Sequence, residues 1–139
     1  MKPFYYSWSV QSEVSNFFLD ESQGPFFIEN GKKIFDGISS SFQAHFGHSF
    51  KPIKQALLKQ VEDFSIAPPK ANFDLKQTAS EQLLELLNLE GRIFYTLSGA
   101  ESVENALKIA RQMRSGKKIL ARKKSYHGAS LGALSITGD

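Results

Sequence analysis

The sequence predicts an α/β fold built around a parallel strand–helix–strand unit. Residues 92–97 form a short apolar run that stops at a Ser-Gly turn, and residues 100–114 then carry an apolar stripe at helical spacing. A second apolar run follows at 118–122, so short connections join strand, helix and strand. This order predicts two parallel strands with a right-handed crossover between them.

The N-terminal segment, residues 1–23, is rich in aromatic side chains and has no firm periodicity, so it either lines a substrate pocket or covers a core. Its aromatic residues are Phe4, Tyr5, Tyr6, Trp8, Phe17 and Phe18. The dipeptide Asn30-Gly31 supplies the positive φ angles of a type I′ turn. It therefore predicts a β-hairpin with strands near 25–29 and 32–36.

Residues 37–50 are rich in Gly and Ser and are expected to form an irregular connection. His45 and His48 lie three apart, but no third ligand is near and the context is not helical, so we predict no metal site. Apolar residues at helical spacing then predict an amphipathic helix near 52–64, with Pro52 in its first turn.

Residues 66–69, Ile-Ala-Pro-Pro, end this helix and mark the predicted domain boundary, which divides the chain into 1–66 and 67–139. Asp74 is expected to cap a second helix that ends between Asn88 and Gly91. After the strand at 118–122 come a loop at 125–128 and the start of a further helix. Two parallel strands do not make a stable sheet, so we expect the chain to be the N-terminal part of a longer protein.

Composition excludes several functions. The chain has no cysteine, which rules out disulfides, thiolate metal sites and a cysteine nucleophile. Eight of its 17 basic residues lie between Lys108 and Lys124, where no acid occurs. Such a run is typical of a solvated face, with nucleic-acid binding as the alternative. Because no signal peptide or apolar span is present, we expect a cytoplasmic protein without membrane contact.

The turn at Ser98 supports two interpretations. Ser98 and Glu101 have the spacing of a capping box, in which Glu101 would accept from the Ser98 N–H group. The same turn follows a strand and opens a helix, so its unpaired N–H groups and the helix dipole also suit a phosphate. Spacing alone does not choose between these two, and one turn can serve both.

Four sequence motifs follow one another over most of residues 24–139: ENGKKIFDGISS, GHSFKPIKQALLKQ, SGAESVENALKIAR and SYHGASLGALSITG. Together they resemble the class III aminotransferases of the ornithine, 4-aminobutyrate and diaminopelargonate type. The resemblance implies an aspartate aminotransferase-like transferase of fold type I that uses pyridoxal 5′-phosphate (PLP). It also implies a β-hairpin segment of the small domain in 1–66 and the first βαβ of the large domain in 67–139.

The resemblance implies roles for individual residues. Ser98, Gly99 and Ala100 match the turn that holds the cofactor phosphate, and Tyr126 matches the residue that stacks on the pyridine ring. His127 and Gly128 match positions that shape the same loop. Glu104 and Lys108 also match, and because their i,i+4 spacing allows a helical ion pair we expect them to be structural. Where many relatives carry Ser or Thr, this chain has Ala100, so one hydroxyl to the phosphate is missing.

The implied reaction is amino-group transfer between an amine or amino acid and a 2-oxo acid, in an enzyme that is a homodimer when full length. Ser41-Phe42 stands where diaminopelargonate enzymes have an aromatic pair, which argues against the same substrate. No lysine here matches the Schiff-base motif, so we assign no catalytic residue and expect the fragment to be inactive. An aminomutase or epimerase of the same family and a truncated non-enzymatic product remain alternatives.

Overall fold

The computed structural model describes residues 3–7, 9–15, 18–113 and 118–138. Trp8 and Phe17 of the aromatic segment and Arg114 and Lys117 of the basic run lie outside the described residues. The chain divides into two units, Met1–Pro69 and Lys70–Asp139. Their assignment to a small and a large domain, with a boundary after Ile66, stays a prediction.

The first unit contains a three-stranded antiparallel sheet in the order β1 (Glu21–Gln23), β2 (Phe26–Glu29), β3 (Lys32–Phe35). The predicted hairpin is confirmed as β2 and β3, joined at Asn30 and Gly31 with φ of 50° and 72°. Both residues need positive φ, which Asn and Gly supply at little cost. The first strand was not predicted because its sequence, ESQ, carries no apolar alternation.

Two helical segments follow the sheet. The predicted irregular connection contains a single turn, α1 (Ser39–Phe42), whose four residues have positive φ of 49° to 71°. A left-handed turn of non-glycine residues is strained, and its Ser-rich sequence gave no signal for it. The predicted amphipathic helix is confirmed as α2 (Lys51–Asp63), with Pro52 in its first turn, where the missing N–H group costs no hydrogen bond.

The second unit contains helices α3 (Asp74–Leu87), α4 (Gly99–Met113) and α5 (Leu131–Ser135). Helix α3 ends at Asn88, whose φ of 49° lets its N–H group bond back to the last turn, as the sequence predicted. The predicted cap by Asp74 is wrong. Asp74 is already the first helical residue, Phe73 holds the capping position, and no side chain caps this end.

The segments 92–97 and 118–122 were predicted as parallel strands joined by a crossover, yet neither forms a strand in the described part of the second unit. A strand requires a partner for its backbone N–H and C=O groups. A crossover of this kind does not always join adjacent strands, and neither segment pairs with the other here. The helix between them is where the sequence placed it.

Few apolar side chains are buried. Among the described residues, Leu107 and Ala133 are the only buried hydrophobic ones, and they lie where α4 meets α5. Large apolar side chains remain exposed on the other helices, for example Leu57 of α2 and Leu86 of α3. No helix in the described ranges has the length and apolar character needed to cross a membrane.

Candidate cofactor site

The turn that opens α4 is capped from both directions. Ser98 is the capping residue, since its carbonyl accepts the first helical bond from Ser102 N at 3.1 Å. Its hydroxyl accepts from Glu101 N at 3.2 Å, as the capping box predicted. The other half of the box is displaced by one residue, because the Glu101 carboxylate accepts from Leu97 N at 2.8 Å and not from Ser98 N.

This displacement leaves three successive backbone donors at the tip of the turn. In the part of the chain that the structure describes, no acceptor bonds the N–H groups of Ser98, Gly99 and Ala100. Ser98 and Gly99 are exposed to solvent. Three unpaired donors together with the positive end of a 15-residue helix suit an anion such as a phosphate.

Two hydroxyl groups support the turn, and neither was predicted from the sequence. The hydroxyls of Thr96 and Ser102 lie 2.6 Å apart. Each also lies within hydrogen-bond distance of the Ser98 carbonyl, at 3.0 and 3.2 Å. They fix the carbonyl of the capping residue and thereby the direction of the donors that follow. The signal available in the sequence was the pair of hydroxyl residues flanking the Ser-Gly turn.

The second predicted site segment belongs to a loop that closes on itself. Lys124 N donates to Gly138 O at 3.1 Å and Gly138 N donates to Ser125 O at 3.0 Å, so the two ends of residues 124–138 are joined. Inside this loop, His127 N donates to the Thr137 hydroxyl at 3.0 Å. Residues 124–138 are called the closed loop below. It carries Tyr126, His127 and Gly128 on one side and α5 on the other.

The closed loop meets the turn at a contact between Gly128 and Ala100. Gly128 is buried and has φ of 134°, a conformation that favours glycine. A Cβ atom placed on Gly128 would lie 2.8 Å from the Cβ of Ala100 and 2.9 Å from that of Ala133. The backbone can therefore approach the start of α4 only without a side chain. The structure brings the two predicted segments, 98–100 and 126–128, into one place.

The remaining loop residues have distinct surroundings. Tyr126 is 55% exposed on this loop. The Nε2 atom of His127 is buried and has no hydrogen-bond partner among the described residues. A buried polar atom without a partner is costly, and a bound ligand or water would relieve it.

Glu104 holds the closed loop from α4. Its Oε1 atom accepts from Gly132 N at 2.7 Å and from Ala133 N at 3.0 Å. The predicted ion pair with Lys108 is wrong, since Lys108 Nζ donates to Asn105 Oδ1 at 2.8 Å. Two partly buried backbone donors attract a carboxylate more strongly than a solvated ammonium does. The partners lie 28 and 29 residues away, so no local sequence pattern indicated them.

The surroundings of Glu104 keep it ionised. The neighbouring Ser130 hydroxyl and the Ala133 N–H group lower its pKa, burial acts in the opposite direction, and the Gly132 N–H group and the Arg111 charge lower the pKa further. The net pKa lies below the ordinary value for a glutamate. The Ser130 hydroxyl oxygen is buried close to this carboxylate, although it makes no bond of full hydrogen-bond geometry among the described residues.

The first unit contains a separate, partly buried pair. His48 Nε2 lies 2.8 Å from Asp36 Oδ2, which also accepts from the Ser40 hydroxyl at 3.0 Å. Burial raises the pKa of Asp36, but the bonds from His48, Ser40 and the Ile38 backbone outweigh it and hold the pKa below its usual value. The pair connects the motif ENGKKIFDGISS, which contains Asp36, to the motif GHSFKPIKQALLKQ, which contains His48. His48 was one of the two histidines considered as metal ligands, and here its Nε2 atom lies against a carboxylate.

Comparison with known proteins decides the family. The sequence profile described as "Aminotransferase class-III" matches residues 7–139. The chain belongs to the class III aminotransferases. Enzymes of this family depend on PLP, and the donors at Ser98, Gly99 and Ala100, with an accessible aromatic ring on the adjoining loop, fit a phosphorylated ring.

Individual aminotransferases match 81% to 95% of the chain. A Bacillus subtilis (strain 168) protein named "Uncharacterized aminotransferase YodT" is 32% identical over 95% of this chain, which covers 32% of that protein. The acetylornithine aminotransferase of Aquifex aeolicus (strain VF5) is 31% identical over 81% of this chain and is covered to 31%. The chain thus spans about a third of the length of the curated relatives it matches.

Solved structures of aminotransferases share the fold. The adenosylmethionine-8-amino-7-oxononanoate aminotransferase of Methanocaldococcus jannaschii matches 98% of this chain with a TM-score of 0.91 and 26% identity, and 34% of that structure is covered. The taurine:2-oxoglutarate aminotransferase of Bifidobacterium kashiwanohense, in complex with PLP and glutamate, matches 97% of the chain with a TM-score of 0.90 and 28% identity. This chain covers 31% of the latter. The predicted fold class, part of a PLP-dependent transferase, is confirmed.

Proposed function

We propose that residues 98–100 and 126–128 form the phosphate and ring site of PLP in an enzyme that transfers an amino group between an amine or amino acid and a 2-oxo acid. The observation that carries this proposal is the contact of Gly128 with Ala100, which places the loop of Tyr126 beside three unpaired N–H groups. Family membership supports the same assignment.

In this proposal, each residue binds or orients. The N–H groups of Ser98, Gly99 and Ala100 donate to the phosphate at the start of α4. Tyr126 stacks on the pyridine ring, and His127 and Gly128 shape the loop that carries it. When bound, PLP supplies an electron-poor ring that stabilises negative charge on the carbon bearing the amino group.

The chemistry proposed for these residues stops at binding. None of the lysines in the 139 residues matches the Schiff-base motif that the family resemblance implies, so we propose that this chain binds cofactor without transferring an amino group. Reduction with borohydride after exposure to PLP, followed by mass spectrometry, tests this directly. Adducts scattered over exposed lysines are expected, and a single specific adduct would contradict the proposal.

We further infer that the complete enzyme is a cytoplasmic homodimer. Family resemblance supports the dimer, and so do the large apolar side chains left exposed on α2 and α3, which water disfavours. Light scattering coupled to size-exclusion chromatography tests the oligomeric state. A monodisperse monomer at micromolar concentration would contradict the inference.

The site itself is tested with a matched pair of substitutions at Gly99. Proline at this first helical position removes one backbone donor while preserving helix geometry, whereas alanine retains the donor and has open space for its Cβ. The probe is pyridoxine 5′-phosphate, which has no aldehyde and cannot react with lysines. Since a hydrogen bond to a charged group contributes about 1.5–3 kcal/mol, Gly99→Pro should weaken binding about 10- to 100-fold.

The matched control is Gly99→Ala, which should bind the probe as the unaltered protein does. Titration calorimetry measures all three affinities, and far-UV circular dichroism checks that α4 is retained. Equal affinities for the proline and alanine variants would show that the Gly99 donor does not face the phosphate.

A further inference from the structure

The closed loop carries Tyr126, so whatever fixes the loop also fixes the aromatic ring. The loop ends are joined through Lys124, Ser125 and Gly138, and His127 is tied to Thr137 near the end of α5. Thr137 in turn donates to Ala133 O at 3.0 Å. Because these bonds connect both sides of the loop, a shift of α5 moves residues 126–128 with it.

Only one side chain of α4 makes hydrogen bonds to the closed loop within the described ranges. Glu104 Oε1 accepts from Gly132 N and Ala133 N at 2.7 and 3.0 Å. An apolar contact also joins them, where Gly128 meets Ala100, and each element carries one buried apolar side chain, Leu107 on α4 and Ala133 on α5. Apolar contacts hold the two elements together but are not directional, whereas two charge-assisted hydrogen bonds fix both the distance and the orientation of the closed loop relative to α4.

The start of α5 depends on this carboxylate. Ser130 occupies the capping position but makes no capping bond among the described residues, and Glu104 accepts in its place from the second and third helical N–H groups, those of Gly132 and Ala133. The absence of a side chain at Gly132 makes room for the carboxylate, because a Cβ there would overlap Glu104 Oε2. A residue of one helix therefore caps the next, and it lies four residues after Ala100, the last residue of the proposed phosphate turn.

We propose that Glu104 is a positioning residue of the cofactor site, which orients the closed loop so that Tyr126 faces a ring whose phosphate lies at Ser98–Ala100. This inference rests on the proposed function of the turn. It predicts that loss of Glu104 weakens binding of a phosphorylated pyridine ring while leaving the binding of phosphate alone unchanged.

Two substitutions and two probes test the inference. Glu104→Ala removes both bonds, and Glu104→Gln keeps an acceptor oxygen without the charge. Glu85→Ala is the matched control, since Glu85 is an exposed glutamate on α3. The affinities of pyridoxine 5′-phosphate and of inorganic phosphate are measured by calorimetry for each variant, and circular dichroism monitors helix content.

We expect the affinity for pyridoxine 5′-phosphate to fall in a defined order among the variants. Pyridoxine 5′-phosphate should bind about tenfold more weakly to Glu104→Ala, by the loss of one to two charge-assisted bonds, and Glu104→Gln should lie between it and the unaltered protein. The affinity for inorganic phosphate should stay the same in all variants. If Glu104→Ala does not fold, the same divergence between the two probes in Glu104→Gln carries the test.

Three outcomes would overturn either the role of Glu104 or the proposed function of the turn. If the Glu104 variants bind pyridoxine 5′-phosphate as tightly as Glu85→Ala does, Glu104 does not position the loop. If both probes lose affinity in parallel, Glu104 has only a general structural role and the inference is wrong. If the unaltered protein binds neither probe, the proposed function itself fails, and the inference fails with it.

Discussion

Substitution of Gly128 by alanine probes the contact on which the site depends. At φ of 134° an alanine is strained, which costs about 1–3 kcal/mol. Its Cβ would also lie 2.8–2.9 Å from three atoms of Ala100 and Ala133, and such overpacking costs about 1–3 kcal/mol. We therefore expect Gly128→Ala to lower the free energy of unfolding by about 2–6 kcal/mol.

Gly91→Ala is the control that separates strain from packing. Gly91 has φ of 152°, but nothing lies within 4 Å of a Cβ placed there, so only the strain of about 1–3 kcal/mol applies. Urea unfolding followed by far-UV circular dichroism gives both values. Equal destabilisation by the two substitutions would show that Gly128 does not pack against Ala100, and the assembled site would be refuted.

Three further predictions concern the rest of the chain. Glu101→Gln should destabilise the start of α4 by about 0.5–1.5 kcal/mol through a weaker bond to Leu97 N, measured by urea unfolding. The pKa of Asp36 is lowered in the folded state, so its bond to His48 should stabilise the protein fully above the unfolded pKa, near 3.8. This stabilisation should be lost as the pH falls through the lower pKa of the folded state. Asp36→Asn should therefore make the free energy of unfolding depend less on pH in the acid range. Ser41→Gly should raise stability by up to about 1 kcal/mol, since glycine relieves a residue at φ of 57°, and a lower melting temperature would contradict this.

Local signals in the sequence predicted local structure. Asn30-Gly31 predicted the hairpin because two positive φ angles are needed there, and helical spacing predicted α2, α3 and α4. The Ser-Gly turn was located correctly as well, since a capping serine at the end of an apolar run is a strong start signal. These features depend on residues within about four positions of one another.

The features that were not predicted depend on distant partners. Glu104 bonds a loop 28 residues away, and its i,i+4 neighbour Lys108 suggested a different partner. The segment at 92–97 has the composition of a strand but does not pair with another strand in the described residues. The strained turn at Ser39–Phe42 is supported by Asp36, whose carboxylate bonds Ser40. In each case tertiary contacts, not propensity, determine the conformation.

The central claim is that residues 98–100 and 126–128 bind one ligand together. The most direct measurement is an NMR titration of the protein, labelled with nitrogen-15, with pyridoxine 5′-phosphate, with inorganic phosphate in parallel. We predict that the amide signals of both segments shift with pyridoxine 5′-phosphate and follow one binding curve, while inorganic phosphate shifts chiefly those of Ser98, Gly99 and Ala100. Shifts confined to one segment with the full probe, or shifts elsewhere in the chain alone, would contradict the claim.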